Sequence, residues 1–579
     1  MPDKLNIKFM KTLSIYIISL IVFNGNLSAQ SPEYLKGFPK DLDSYYQPML
    51  YGATPIIANF DNQGDKEIAF ALFKTNHTKI FILKSDGSDL AGWPVTIVPA
   101  HSWPAIASGD INNDGNLDMV LRNNDSLYVF NNDGTRMQGF PLFLKDVNLA
   151  FVSLYDINNN GYLELIIKGF NYLYVYDHSG NIVNGWPRKI PGDPPDAVKT
   201  PPVSIADLDN DNYAEIIVNS TLCLDGFNCD STYISIFSHD GTNLPGWPLK
   251  IDSGYIFYSQ PATIYNDPMN DSTFLYINSA YYFPNTDSVR TKTSIYNTGG
   301  NLILNYYSTT VSSESSSIAL SYENNNFYQS FGSEPGPIFL FDRKNLLMNK
   351  WPVFSNGYYF NSPLIMKMNN DIIITSHIRI IDFSLKGFVY FYNKNGSQLP
   401  WSPLRPSGVV SAAGIYGDIN NDNQLDYFIF SLIDTNNVSH PILNGWTFPG
   451  VTYDQKNMHW PMYGHDRYRT NQYGFIPPDE PVGIQPINSN VPTSFKLHQN
   501  YPNPFNPVTN IKFDIKKPAD VRLNIYDALG RKISELINEK LQSGSYNAVF
   551  DGSDFSSGVY FYKLETEGFV ETRRMILLK

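Results

Sequence analysis

The chain has 579 residues, more than one core usually supports, so two or more domains are expected. Its 42% hydrophobic and 15% aromatic content fills a large core and its 17% charged content argues against disorder. The formal charge of −13 has the wrong sign for a nucleic-acid footprint or an anionic membrane surface, and 39 Gly, 39 Pro, 39 Tyr and 37 Phe suit short strands and tight turns, an all-β composition.

Lys4, Lys8 and Lys11 precede an apolar run from Leu13 to Phe23, followed by a polar stretch ending in Ser28-Ala29. This order predicts a signal peptide over 1–29, with Met10 as an alternative start and an N-terminal membrane anchor as the other reading; the run is short for a span. Export puts Cys223 and Cys229, the only cysteines, in an oxidising compartment where they can close a small loop, free thiols being the alternative.

From there a pattern recurs. Oxygen-bearing side chains stand at positions 1, 3 and 5 and an acid at position 9, followed by an aliphatic strand: Asn59, Asp61, Gln63, Glu67; Asp110, Asn112, Asp114, Asp118; Asp156, Asn158, Asn160, Glu164; Asp207, Asp209, Asp211, Glu215; and Asp418, Asn420, Asp422, Asp426. The starts are spaced by 51, 46, 51 and 211 residues, the last being about four units, which makes eight slots. Alternating strands and turns follow in step, as at Ile80–Leu83 before Asp86-Gly87, and then Gly92-Trp93-Pro94, Gly139-Phe140-Pro141, Gly185-Trp186-Pro187 and Gly246-Trp247-Pro248, with echoes at Trp351-Pro352, Trp401 and Trp460-Pro461. Units of about 50 residues with several short strands and no helical period predict a seven- or eight-bladed β-propeller over 30–475, a solenoid being the runner-up. Between about 255 and 410 the pattern decays: Asn266-Asp267 and Asn369-Asn370-Asp371 sit where loops are due without the spacing.

Alternate oxygen donors in a tight turn, closed by a later acid, suit calcium, a hard cation that takes 6–8 oxygens at about 2.3–2.6 Å. An EF-hand is excluded, because position 12 is Phe70, Leu121, Ile167, Val218 or Ile429 and not Glu. The loops carry two, three, two, four and three carboxylates in chain order at these positions, so the Asp207 loop is expected to bind tightest. The plain alternative is that Asn, Asp and Gly merely make good turns. Asp207-Leu208-Asp209-Asn210-Asp211 with Glu215-Ile216-Ile217-Val218, repeated at blade spacing, resembles the FG-GAP and VCBS repeats of integrin-α-like propellers over about 35–475. That resemblance implies calcium as the cofactor, although no intact Phe-Gly and Gly-Ala-Pro pair is present.

Pro477-Pro478-Asp479-Glu480-Pro481 opens a Pro-rich stretch, 476–496, read as an extended linker. Alternating strands then predict a small immunoglobulin-like β-sandwich over 497–579. Leu497-His498-Gln499-Asn500-Tyr501-Pro502-Asn503-Pro504-Phe505-Asn506-Pro507, Leu529-Gly530-Arg531, Gly558-Val559-Tyr560-Phe561-Tyr562 and the closing Arg573-Arg574 to Lys579 closely resemble the C-terminal sorting domain of type IX secretion substrates. The resemblance implies passage through the periplasm to the outer surface or the medium, with that secretion machinery as a partner.

No nucleophile elbow, His-Glu-x-x-His helix, phosphate loop or dinucleotide fingerprint occurs in the mature chain. His459 and His465-Asp466 flank Trp460-Pro461-Met462-Tyr463-Gly464; they can be read as a metal pair, but the segment reads as the ring-closing strand and structural use is favoured. Tyr281-Tyr282-Phe283 and Tyr358-Tyr359-Phe360 read as strand packing. The expected function is an exported calcium-binding propeller that presents a face to a protein or glycan ligand. The competing expectation is a secreted propeller-fold polysaccharide lyase or glycoside hydrolase, whose paired carboxylates leave no spacing to read. A scaffold within a larger exported assembly is a third.

Overall fold

The computed structural model describes residues 31–578 apart from interior segments, the longest being 43–53, 145–150, 192–201, 308–313 and 478–484. The expected signal peptide lies outside the described residues. Among those described, no helix is long and apolar enough to cross a membrane.

Eight small antiparallel sheets follow one another in the chain: sheet 1 over 56–97, sheet 2 over 105–143, sheet 3 over 152–189, sheet 4 over 204–253, sheet 5 over 256–307, sheet 6 over 314–341, sheet 7 over 358–393 and sheet 8 over 409–452. Separate apolar clusters fill the spaces between neighbours, such as Leu121, Phe130 and Phe70 between sheets 1 and 2, and Ile166, Val175 and Ile216 between sheets 3 and 4. The first cluster also holds Phe428, Phe430 and Leu443 of sheet 8, so the last sheet packs on the first and the ring closes. Inner and second strands are therefore covered on both faces. This explains why Ile68-Ala69-Phe70-Ala71-Leu72 and Leu165-Ile166-Ile167 are continuous apolar runs without alternation.

Closure is not made by the Trp460 segment. Glu33–Tyr34 and Lys40–Asp41 pair with Val438–Thr452 as the outermost strands of sheet 8. Residues 459–475 instead thread the axis of the ring as a plug. Trp460 and Ile365 of sheet 7 exchange backbone hydrogen bonds (2.8 and 3.1 Å), and carbonyls of Pro461, Arg467, Tyr468, Thr470 and Asn471 accept from Tyr416, Ser108, Leu154, Ile205 and Ile264 of sheets 8, 2, 3, 4 and 5. The buried Arg469 guanidinium donates to Thr54 O (3.0 Å) beside sheet 1. A strand at the rim would use one partner sheet; the inner strands of a ring leave their inward polar groups unpaired, and this segment satisfies them.

The Gly-Trp-Pro landmarks are clasps between sheets. The indole N–H groups of Trp93, Trp186, Trp247 and Trp351 donate to the carbonyls of Asn132, His239, Thr298 and Lys394, each in the turn of the following sheet (2.9, 3.1, 2.9 and 2.9 Å). Glycine precedes three of these indoles because the turns touch there: Gly92 has φ +87°, and a Cβ on it would lie 2.0 Å from Asp133 O; Lys350 takes the same left-handed conformation (φ +66°) before Trp351. Trp460 is in the plug and makes no such clasp.

Cys223 and Cys229 are direct ladder partners at the end of the sheet 4 hairpin. Such partners stand about 4.5–5.5 Å apart at Cα, a span a disulfide bridges. Beyond the ring, two four-stranded antiparallel sheets share one core that includes Leu497, Phe513, Leu523, Phe550, Tyr562 and Met575. One correction concerns the linker: Gln485–Asn488, inside 476–496, pairs with Gly544–Asp551 as an edge strand. Pro486 is tolerated because an edge strand need not use every N–H.

Candidate metal centre

Each acid loop joins the inner strand of its sheet to the second strand, so the five lie on one face of the ring, over consecutive sheets 8, 1, 2, 3 and 4. Neighbouring loops are tied to one another. The Asn62 amide donates to Asn116 Oδ1 (2.9 Å) and that of Asn421 to Gly64 O, while Lys66 N donates to Ile419 O (2.7 Å) and Ala214 N to Ile157 O (3.0 Å).

The backbone of each loop is wound around its own side chains. Position 4 is Asn in all five loops, and Asn62, Asn113, Asn159, Asn210 and Asn421 all have φ between +50° and +62°. Position 6 is again left-handed, as Gly64, Gly115, Gly161, Asn212 and Asn423. Asn and Gly tolerate this conformation, so the winding turns positions 1, 3 and 5 to one side. These two positions were readable as a repeated Asn-x-Gly/Asn, a signal the oxygen-donor pattern alone passes over.

The acid at position 9 is the buried part. Glu67, Asp118, Glu164, Glu215 and Asp426 are all nearly inaccessible, and one oxygen of each accepts from the backbone N–H of position 2 (Phe60, Ile111, Ile157, Leu208, Ile419) at 2.8–3.0 Å. The second oxygen of Asp118, Glu215 and Asp426 is buried without a hydrogen-bond partner. Burial pushes the Asp118 and Glu215 carboxyls up to about 8 and those of Glu67, Glu164 and Asp426 up to about 7, the neighbouring loop acids adding to the rise. Burial likewise raises Asp156, Asp207 and Asp418 at position 1. An orphaned carboxylate oxygen under a ring of other oxygens fits a hard cation, which would supply the missing partner.

The loops differ in how far their donors converge. One oxygen each from Asp207, Asp209 and Glu215 lie within 4.8 Å of one another, the one such acid trio among the described residues; Asp211 is not in it and accepts from Tyr213 N (2.8 Å). In the Asp110 loop the Asn112 amide donates to Asp114 (3.0 Å), and in the Asp418 loop Asn420 donates to Asp422 (3.1 Å), so an internal N–H takes part of the place of a cation. In the Asp156 loop Asn158 Nδ2 donates to Glu164 Oε1 (2.7 Å), while Asn160 Oδ1 accepts from Tyr162 N. In the Asn59 loop Gln63 N donates to Asn59 Oδ1 and Asp61 Oδ1 (3.1 and 2.8 Å), and the Gln63 side chain is exposed.

The histidine pair is committed elsewhere. His459 Nδ1 is bonded to Ser321 Oγ (2.6 Å) and held by burial at a pKa of about 4, while His465 sits between Asp466 (3.3 Å) and Gly474 N (3.3 Å) within the plug.

Comparison with known families agrees with this architecture. Residues 156–218, containing the third and fourth loops, match the FG-GAP-like repeat, and residues 499–578 match the secretion system C-terminal sorting domain. Residues 499–578 are thus a type IX sorting domain, which marks the chain for export to the cell surface or the medium, and residues 156–218 are similar to an FG-GAP-like repeat. No curated protein matches. Among solved structures, the V. cholerae biofilm matrix protein Bap1 is similar at 12% identity and a TM-score of 0.39, covering 74% of this chain and 92% of its own. BBS1N in complex with ARL6DN (12%, TM-score 0.37, 62% and 95%) and the WD40 domain of Toxoplasma gondii coronin (10%, 0.35, 77% and 95%) are also similar. Likenesses this loose bear no weight on ligand or activity.

Proposed function

We propose that the protein is an exported binding module: a propeller stabilised by calcium in its five acid loops, delivered by the type IX machinery, that offers a face of the ring to an extracellular ligand. The observation that supports it most is the buried, unpartnered carboxylate oxygen recurring at position 9 of the Asp110, Asp207 and Asp418 loops. A cation bound by Asp110, Asn112, Asp114 and Asp118, and by the matching residues of the other loops, would supply positive charge where the chain has buried negative charge. It would also lock the loops into one surface. The polysaccharide lyase or hydrolase reading requires a deep acidic pocket at the axis. The plug of 459–475 occupies most of that axis, and the cavity beside it is lined by one acid, Asp466, which weighs against it.

The test is thermal unfolding of the full mature chain with calcium and with chelator, alongside Asp209→Ala and Asn158→Ala. Calcium raises the midpoint, and Asp209→Ala removes more of the rise than Asn158→Ala. Identical midpoints with and without calcium would reduce the loops to turn chemistry.

A further inference from the structure

The plug does not fill the axis evenly. Between it and the inner strands of sheets 8 and 1, on the acid-loop face, lies an open cavity of about 300 Å³, within the size range of small-molecule sites. Its walls are largely apolar, with Tyr453, Tyr473 and Phe475 supplying ring faces.

Its polar groups are mostly of one sign. Lys66, Lys456 and Arg467 line it, against a single acid, Asp466. That acid is turned into the plug: its Oδ1 accepts from Tyr468 N (2.8 Å), its Oδ2 from the Thr470 hydroxyl, and His465 Nδ1 lies 3.3 Å from it. Arg467 is buried at the floor, with Nη1 donating to Ser108 O (3.2 Å). Lys66 lies over the Tyr453 ring, 5.5 Å from its centre, and Lys456 stands exposed at the rim. In a chain of net charge −13, a cationic cavity with aromatic walls runs against the general field and is complementary to an anion with a ring-shaped body.

We infer that this cavity binds one hexuronate unit of an acidic polysaccharide, its ring against Tyr453 and its carboxylate toward Lys66 and Lys456, the rest of the glycan leaving through the mouth. The inference rests on the reading of the protein as an exported binding module and names its ligand class. An aromatic carboxylate would satisfy the cations equally. The acidic sugar is favoured because the module is delivered outside the cell and the open mouth leaves room for a chain.

The experiment is calorimetric titration of the full mature chain, in excess calcium, with trigalacturonate, neutral galactotriose and benzoate. Trigalacturonate is expected to bind at least tenfold more tightly than either of the others. Lys456→Glu and Tyr453→Ala should each weaken it tenfold or more; Lys456→Glu should leave the thermal midpoint unchanged, and neither should alter the calcium dependence of the midpoint. Failure of trigalacturonate to bind, equal binding of galactotriose or benzoate, or indifference to both substitutions overturns the inference. If the calcium-dependent midpoint survives such a result, the cavity assignment alone falls; if calcium has no effect either, the reading beneath it falls too.

Discussion

Sheets 8 and 1 to 4 differ from sheets 5 to 7 in what they do with the acids at the ends of their inner strands. In the first group a loop opens and buries a carboxylate, and in sheets 2, 4 and 8 it leaves an oxygen unpartnered. In the second the connection is short: only two residues separate Glu323 from Asn326, and two separate Met368 from Asp371. There the acids meet cations of the chain itself, Asp267 with Arg343 at 3.0 Å, Glu323 with Lys367 at 2.7 Å and Asp371 with Lys394 at 3.6 Å. If the loops bind a cation as proposed, the same ring carries two solutions to one electrostatic problem, an external cation and an internal one. Where the internal cation is present the loop spacing has gone, so the decay of the pattern between 255 and 410 coincides with these ion pairs.

The largest expected effect separates the two arcs directly. Five sites, each contributing about 2.7 kcal/mol when calcium is at 100 times its Kd, would shift the midpoint by on the order of 10 °C or more. Hydrogen exchange with and without chelator should lose protection at Glu67–Lys74, Asp118–Asn123, Glu164–Lys168 and Glu215–Val218, and keep it at Asn326–Ser330 and Ile372–Thr375. Uniform loss around the ring would show that the arcs are not separable.

Next in size are the clasps, which cross the boundary between arcs. Trp186→Ala, within the acid-loop arc, and Trp351→Ala, outside it, should each cost about 3–5 kcal/mol, because a nearly buried indole leaves a cavity between sheets. Trp→Phe at either position should cost only about 1 kcal/mol, the single hydrogen bond to His239 O or Lys394 O. Phe140 already occupies the clasp position of sheet 2. Urea midpoints measured with calcium present should give similar losses in both arcs, since the clasp does not depend on the loops.

A smaller effect is the pH dependence of the calcium increment. Without cation, Asp118 and Glu215 hold their protons up to about 8, whereas the unfolded chain loses them near 3.8 and 4.5. Between those values the folded state binds more protons, so the chelated protein loses stability as pH rises through that window. Calcium must displace the same protons, so its gain in midpoint should be several degrees larger at pH 8 than at pH 5.5. An equal gain at both would mean that these acids are not ligands. Buried His459 titrates alike with and without calcium and cancels in the difference.

Much of this contrast was legible beforehand. Five loops with an acid at position 9 fixed both the period and the arc, because ligand spacing is local and survives in one dimension. The eight sheets followed from the spacing once sheets 5 to 7 were allowed to lack loops. What stayed hidden was non-local: Trp460-Pro461 looks like a clasp in sequence yet lines the axis, and Glu33–Tyr34 closes the ring by pairing with Thr447 and Trp446, about 400 residues away. Nor does any spacing bring Lys66, Lys456 and Tyr453 to one cavity. The clasp has no local signal either, because the carbonyl that the indole reaches belongs to the next repeat.

The smallest effect is the most pointed test of the comparison. Arg343→Met removes the internal cation beside Asp267 in sheet 5, where the arginine side chain is 39% exposed and the carboxylate 6%. An ion pair with one exposed partner contributes about 0–1 kcal/mol and is screened by salt, so the midpoint should fall by no more than a few degrees. The informative readout is calcium. If the two arcs solve the same problem, the variant removes one cation from beside a nearly buried carboxylate but supplies no loop of further oxygens, and a single carboxylate does not complete a shell of six to eight. The calcium increment of the variant should therefore equal that of the parent protein. An increment that grew would mean that the loop geometry matters less than the unneutralised charge, and the distinction between the arcs would dissolve into one of charge alone.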